Sequence, residues 1–136
     1  MDPADALQLG IYSRLTSDAP LMSLVTGVYD GVREFGELDY VTIGEMTSSP
    51  DGVHGVDGRQ TVASIHTWTR AESHAPGNTI AGHVVGLLLH QHVALDSVVS
   101  GHRVWRVTHE FAQNFVDPEP HVRHRVDRFR IYTSEG

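Results

Sequence analysis

Ten histidines, ten arginines and seventeen acidic residues, with no cysteine and no lysine, are the chemical stock of this 136-residue chain. Histidine is the compositional excess, so a metal site is the first chemistry to test. His90 and His92 lie two apart in a helical stretch and point away from each other, while His121 and His124 lie three apart in an extended stretch and point to opposite faces. His83 and His90 share a helix face, but at 1.5 Å per residue they stand ~10 Å apart along its axis, too far for one ion with ~2 Å bonds. No His-Glu-x-x-His occurs. Nucleophilic and phosphate chemistry find no better footing. Gly-x-Ser-x-Gly, Gly-x-Gly-x-x-Gly and Gly-x-x-x-x-Gly-Lys are absent, and a chain without lysine or cysteine builds neither a Schiff base nor a thiolate. Asp117 and Glu119 could be imagined as acid and base, yet between Pro118 and Pro120 they read as solvated turn residues. The spacing therefore predicts no catalytic residue, no cofactor and no metal ligand.

Arginine is the remaining candidate. Arg123, Arg125, Arg128 and Arg130 crowd the last strand, but strand alternation sends Arg123 and Arg125 one way and Arg128 and Arg130 the other. A divided set makes no continuous basic stripe for a phosphate backbone, and a net charge of −7 opposes non-specific duplex binding. Residues 1–60 hold ten acids and three arginines, 61–100 two acids and one arginine, and 101–136 five acids and six arginines. Glu34, Glu37 and Asp39 of the acid-rich part are thus expected partners for those arginines, within the chain or on a neighbouring subunit, through bidentate pairs.

These side chains need elements to hold them. Asp2 followed by Pro3 signals a helix start, and Leu7, Ile11 and Leu15 recur on one face of it. Asp18-Ala19-Pro20 repeats the signal for a short turn ending near Gly27. Val28 to Asp30 is extended, and Tyr40 to Met46 reads as a strand rich in β-branched and aromatic residues. Residues 47–58, with three glycines and a proline, read as an exposed loop that includes Asp51 and His54. Arg59 to Arg70 forms a strand with Ala63, Ile65 and Thr67 opposite Val62, Ser64, His66 and Trp68. Ile80, Val84, Leu87, Leu88 and Gln91 give the second long helix, where Gly82 and Gly86 are expected to allow close approach to a sheet. Arg103 to Phe115 alternates Trp105, Val107, His109, Phe111, Gln113 and Phe115 on its apolar face. A break at Val116 to Pro120 then returns the chain as a partner strand from His121 to Thr133. The order implies an α+β fold: a mainly antiparallel sheet with two main helices packed on one face, as a single domain over 1–136. No apolar run approaches the ~20 residues of a bilayer span, and the acidic start lacks the features of a signal peptide, so synthesis without secretion is expected.

Five short patterns in order resemble one known family: Leu7, Ile11, Tyr12 and Leu15; Val28-Tyr29-Asp30-Gly31-Val32; Tyr40-Val41-Thr42-Ile43-Gly44-Glu45; Ile65-His66-Thr67-Trp68-Thr69-Arg70; and Arg123 to Arg130. Together they look like the tail-terminator, or tail-completion, proteins of long-tailed bacteriophages and gene transfer agents. The resemblance covers nearly the whole chain and departs mainly in residues 47–58 and in the histidines. It implies a non-enzymatic virion protein of the tail or neck, assembled in the host cytoplasm. It further implies a ring, typically a hexamer, that caps the tail tube, ends its polymerisation and offers a surface for joining the head through a head-completion or connector protein. DNA would pass through the lumen without specific binding, and no membrane would be involved. Arg128 and Arg130, with Arg123, Arg125, Glu34, Glu37, Asp39, Asp51, His54, Asp117 and Glu119, are the expected oligomer and partner contacts. From a different class, the competing expectation is a small ligand-binding or enzymatic α+β domain with a pocket lined by His66, His109 or His124.

Overall fold

The computed structural model describes residues 2–30, 37–51 and 58–135. Helix α1 (Ala4–Thr16) begins just after Pro3, and Asp2 still tops it, its Oδ1 accepting the Ala4 N–H at 2.9 Å. Asp18 does the same for α2 (Ala19–Met22), where its carboxylate accepts the Leu21 N–H at 2.9 Å. The chain continues through β1 (Val28–Asp30), β2 (Tyr40–Pro50), β3 (Arg59–Arg70), α3 (Ala75–Leu88), α4 (His92–Asp96), β4 (His102–Val116) and β5 (Val122–Glu135). All five strands share one sheet in the order β1-β2-β3-β5-β4. Only β1 and β2 run parallel, so the architecture is α+β on a mainly antiparallel sheet.

Register decides which face each residue serves. Val41, Ile43, Ala63, Ile65, Phe129, Ile131 and Val107 point to the side where Leu7, Ile11, Leu15, Ile80, Val84 and Leu88 arrive from α1 and α3, and together they form the hydrophobic core. The helices therefore cover one face, as the alternation of β5 implies, and this decides which side of β3, partly apolar on both, lies inside. The opposite face carries Thr42, Ser64, His66, Trp68, His124, Val126, Arg128 and Arg130, none of them in that core. Arg123 and Arg125 turn toward the helices and Arg128 and Arg130 away from them, as alternation demands.

Three sequence expectations are corrected. Residues 47–58 are not all loop, because Thr47 to Pro50 extend β2 and pair with Val62 to Arg59 of β3. Serine and proline lower strand propensity, but a full ladder with a buried neighbour outweighs propensity, and Pro50 stands at the strand's last position, where proline is tolerated. Asp51 is buried and donates its N–H to the Gly58 carbonyl at 2.7 Å, while residues 52–57, including His54, lie outside the described residues. In β4 the simple alternation fails. Register shifts between Val104 and Arg106, and again between His109 and Phe111, leave Val107 and His109 toward the helices but turn Phe111, Gln113 and Phe115 to the open face.

Gly82 and Gly86 provide the third correction. Both lie on the outer side of α3, where an added Cβ would meet nothing within 4 Å, and it is Gly77 that faces Thr69 of the sheet. Without a packing reason, each glycine only loosens the helix. Gly82→Ala and Gly86→Ala are each expected to raise stability by about 0.5–1 kcal/mol, read as a higher urea midpoint with an unchanged slope.

Candidate functional site

The open face of the sheet gathers an aromatic row that crosses it strand by strand. Tyr40 lies opposite Trp68, Trp68 opposite His124, and His124 opposite Phe115. Trp68 and His124 stack with ring centroids 3.7 Å apart and planes 5° from parallel. Phe115 tilts against His124 at 5.5 Å, and Tyr29 meets Tyr40 edge-on at 5.8 Å. Each such cross-strand contact adds ~0.5–1.5 kcal/mol beyond area burial, so the row stiffens the sheet across its width.

Beside the row, a cavity of about 420 Å³ is bounded by Thr42, Glu45, His66, Trp68, His124 and Asp30. His66 Nδ1 and His124 Nε2 are 2.7 Å apart, and His66 Nε2 lies 3.4 Å from Glu45 Oε2. An ionised carboxylate only accepts, so with both rings neutral His66 Nε2–H donates to Glu45 and His124 Nε2–H donates to His66 Nδ1. Glu45 is held below the usual carboxylate range, chiefly by a backbone N–H hydrogen bond at Glu45 itself, helped by Ser64 and His66. His124 is pushed down to about 4, first by burial and then by His66 beside it.

That depression gives His124 a signed pH signature. The unfolded chain binds this proton more readily than the folded one, so the stabilising contribution is complete above the unfolded pKa of ~6.5 and lost as pH falls through about 4. An NMR titration of His124 is expected to show a midpoint near 4. Urea midpoints should fall between pH 6.5 and 4, and less steeply in a His124→Asn chain.

His109 does not join this cavity. It lies on the helix side, where its Nε2 is 2.9 Å from Asp127 Oδ1, so of the three candidate histidines only His66 and His124 line the cavity. Asp127, only 1% exposed, also receives the Arg125 fork, Nε on Oδ2 and Nη2 on Oδ1, both at 3.0 Å. Arg125 Nη1 reaches Asn78 Oδ1 of α3 at 2.9 Å. This cluster ties β4, β5 and α3 together just before β4 becomes exposed. Beyond it, Glu110 to Val116 are exposed on both faces, with Phe111 and Phe115 at 40% and Val116 at 68%.

The remaining sequence-predicted contacts disperse. Arg130 pairs with Glu110 and reaches Gln60 Oε1 at 2.8 Å, a contact that holds the Glu110 carboxyl low and raises the guanidinium. Arg123 donates to the Glu72 carbonyl at 3.0 Å. Arg128 lies over the Phe111 ring at 4.8 Å and donates to Ser64 Oγ at 3.3 Å. Asp39 accepts the Arg70 N–H at 2.8 Å, and the Glu37 carbonyl takes the Thr26 hydroxyl at 2.8 Å. Asp117 accepts the Glu119 N–H at 2.9 Å across the hairpin turn, and Glu119 stands 3.9 Å from Arg70. Glu34 lies outside the described residues. The arginines of β5 thus find Asp127 and Glu110 of their own hairpin rather than Glu37 or Asp39. Sequence reasoning missed the aromatic row and the Asp127 cluster. The available signal was the hairpin: a turn centred on Pro118 to Pro120 sets Phe115 against His124.

Among the described residues, no helix is long and apolar enough to cross a membrane. Residues 10–134 match the family of tail completion protein gp17. A chain in the virion of a native gene transfer agent particle is similar over 98% of both chains, with 29% identity and a TM-score of 0.82. The gp17 protein of bacteriophage SPP1 shares the fold at 19% identity and a TM-score of 0.59, over 97% of this chain and 90% of that one. No curated protein is detectably similar in sequence.

Proposed function

This chain belongs to the tail completion protein gp17 family, and on that premise we propose that it acts as a tail terminator: a structural component of a phage-like virion that closes a tail tube. In this reading six copies form a ring on the tube, stop further tube addition and present the surface to which a head-side connector joins. The observation that carries the reading is the match, end to end in both chains, to a component of a gene transfer agent particle. The structure supports it in kind. A sheet braced by an aromatic row and by the Asp127 cluster is a rigid wedge, and its exposed β4 end is free for contact with other chains. A net charge of −7 suits a lumen through which DNA slides without adhering. Its place is the virion, reached after assembly in the host cytoplasm.

Particles made without this protein provide the test. Headless tails of abnormal length are the expected product in electron micrographs; joined heads on tails of normal length would overturn the reading. A second reading, a bound small ligand, has one observation in its favour. Thr42 Oγ1 and Trp68 Nε1 at the 420 Å³ cavity are buried with no hydrogen-bond partner among the described residues. Saturable change in Trp68 fluorescence with a metabolite mixture would mark that case.

A further inference from the structure

The two edges of the sheet differ in a complementary way. At one edge, β4 pairs among the described residues only with β5, and from Glu110 to Val116 it is exposed, Phe111, Phe115 and Val116 included. Arg128 lies beside it with no carboxylate partner among the described residues. At the other edge, β1 and α1 enclose a hollow of about 380 Å³ lined by Leu9, Tyr12, Val28, Tyr29 and Ile43. Leu9 is 71% and Tyr12 45% exposed there. Asp30 stands at its rim and Asp5 in the adjoining depression, where Asp30 recurs. Neither carboxylate has a cation partner among the described residues. One edge therefore carries apolar knobs and a cation, and the other an apolar hollow and carboxylates, none of these charges ion-paired among the described residues.

Height along the strands adds a second constraint. Val28 aligns with Val41, Thr67, Arg125 and Asn114, and Asp30 with Ile43, Ile65, Asp127 and Ala112. The uncovered segment of β4 and the hollow beside β1 thus lie at one level on opposite edges. A contact between unlike patches is heterologous, and it closes into a ring only when successive copies turn without climbing. Patches at the same level satisfy that condition for an axis parallel to the strands.

We propose that residues 110–116 of one copy dock on the α1–β1 edge of the next, with Val116 entering the hollow, Phe115, on the other face of its strand, packing along the outer rim, and Arg128 facing Asp5 and Asp30. This rests on the ring reading above and names the two surfaces that make the ring. Apolar side chains leave water on both sides, and the ion pairs fix the partner's polarity and register. A second copy is the occupant because the charge complementarity lies on this chain itself.

The chain has no cysteine, so a Leu9→Cys, Val116→Cys double variant reports the contact directly. Within one copy the two positions sit on opposite edges of a five-stranded sheet ~19 Å wide, beyond the ~7 Å Cα limit of a disulfide. Oxidation of completed particles, with head joining scored separately, is expected to give a ladder of linked oligomers from the double variant and none from either single variant. Joined particles without a ladder would overturn the contact while leaving the tail-terminator role intact. A linked dimer from Val116→Cys alone would replace it with a symmetric β4–β4 contact, and linkage to the tube subunit would make the tube the occupant. As an independent arm, Arg128→Asp is expected to cut the assembled fraction at least tenfold, and Asp5→Arg with Asp30→Arg added to the same chain should restore it. An undiminished fraction in the single variant, or no restoration in a chain that melts like the parent, counts against the proposal.

Discussion

Asp127→Ala is expected to cost about 3–5 kcal/mol, the penalty for leaving one side of a buried ion pair uncompensated. Asp127 is the acceptor for the whole Arg125 fork and for His109. Once it is gone, a guanidinium that is 19% exposed keeps only Asn78 as partner. The loss is not confined to stability. His109 carries Asp127's hold on β4 just before the uncovered segment, which is otherwise held only along β5, so docking should weaken together with the melting temperature. Asp127→Asn separates the two effects, because it keeps a carbonyl acceptor and the side-chain shape while removing charge. Replacing Asp127 and Arg125 together by leucine and methionine should recover much of the stability without recovering the anchor. Calorimetry gives the first quantity and the assembled fraction the second.

Phe129→Ala is the other large effect. Phe129 is fully buried on the helix side of β5 and packs its ring 5.1 Å from that of His109. Removing a buried phenyl group leaves a cavity between sheet and helices that the rigid strands cannot close, at about 3–5 kcal/mol. For a domain of this size that corresponds to a fall in Tm of roughly 10–20 °C, a large part of a typical total stability of 5–15 kcal/mol. Phe129→Leu should cost much less, because most of the volume remains. Equal losses for the two variants would mean that the ring's contact with His109, not the filled volume, is what matters there.

The parts of the fold that local chemistry dictates are legible in the sequence. Asp2 and Asp18 announce α1 and α2 because an oxygen near the helix start answers free N–H groups whatever the rest of the chain does. The two sides of β3 and β5 are legible because alternation has a fixed period. What pairing decides is not legible. Thr47 to Pro50 become strand because β3 lies beside them, and no residue among them announces it. Phe111 and Phe115 reach the open face only through the irregularity after His109, which a period-two reading cannot contain. The partners of the arginines within the chain are not legible for a related reason. Charge totals by segment point to the acidic first half, whereas within the chain Arg125 and Arg130 pair with Asp127 and Glu110, carboxylates brought close by the hairpin itself. The candidate surface, finally, depends on which strands become edges, and that follows from the order β1-β2-β3-β5-β4 rather than from any motif.

The two irregularities of β4 also bear on the protein as a free subunit. A freshly made copy presents Phe-Ala-Gln-Asn-Phe-Val, an uncharged strand of the kind that seeds fibrils when it is flat and continuous. The extra residues near Val104 and near His109 coil the hairpin twice within one strand, and a coiled edge stacks poorly on identical copies of itself. The coiling thus works against edge-to-edge stacking of free subunits.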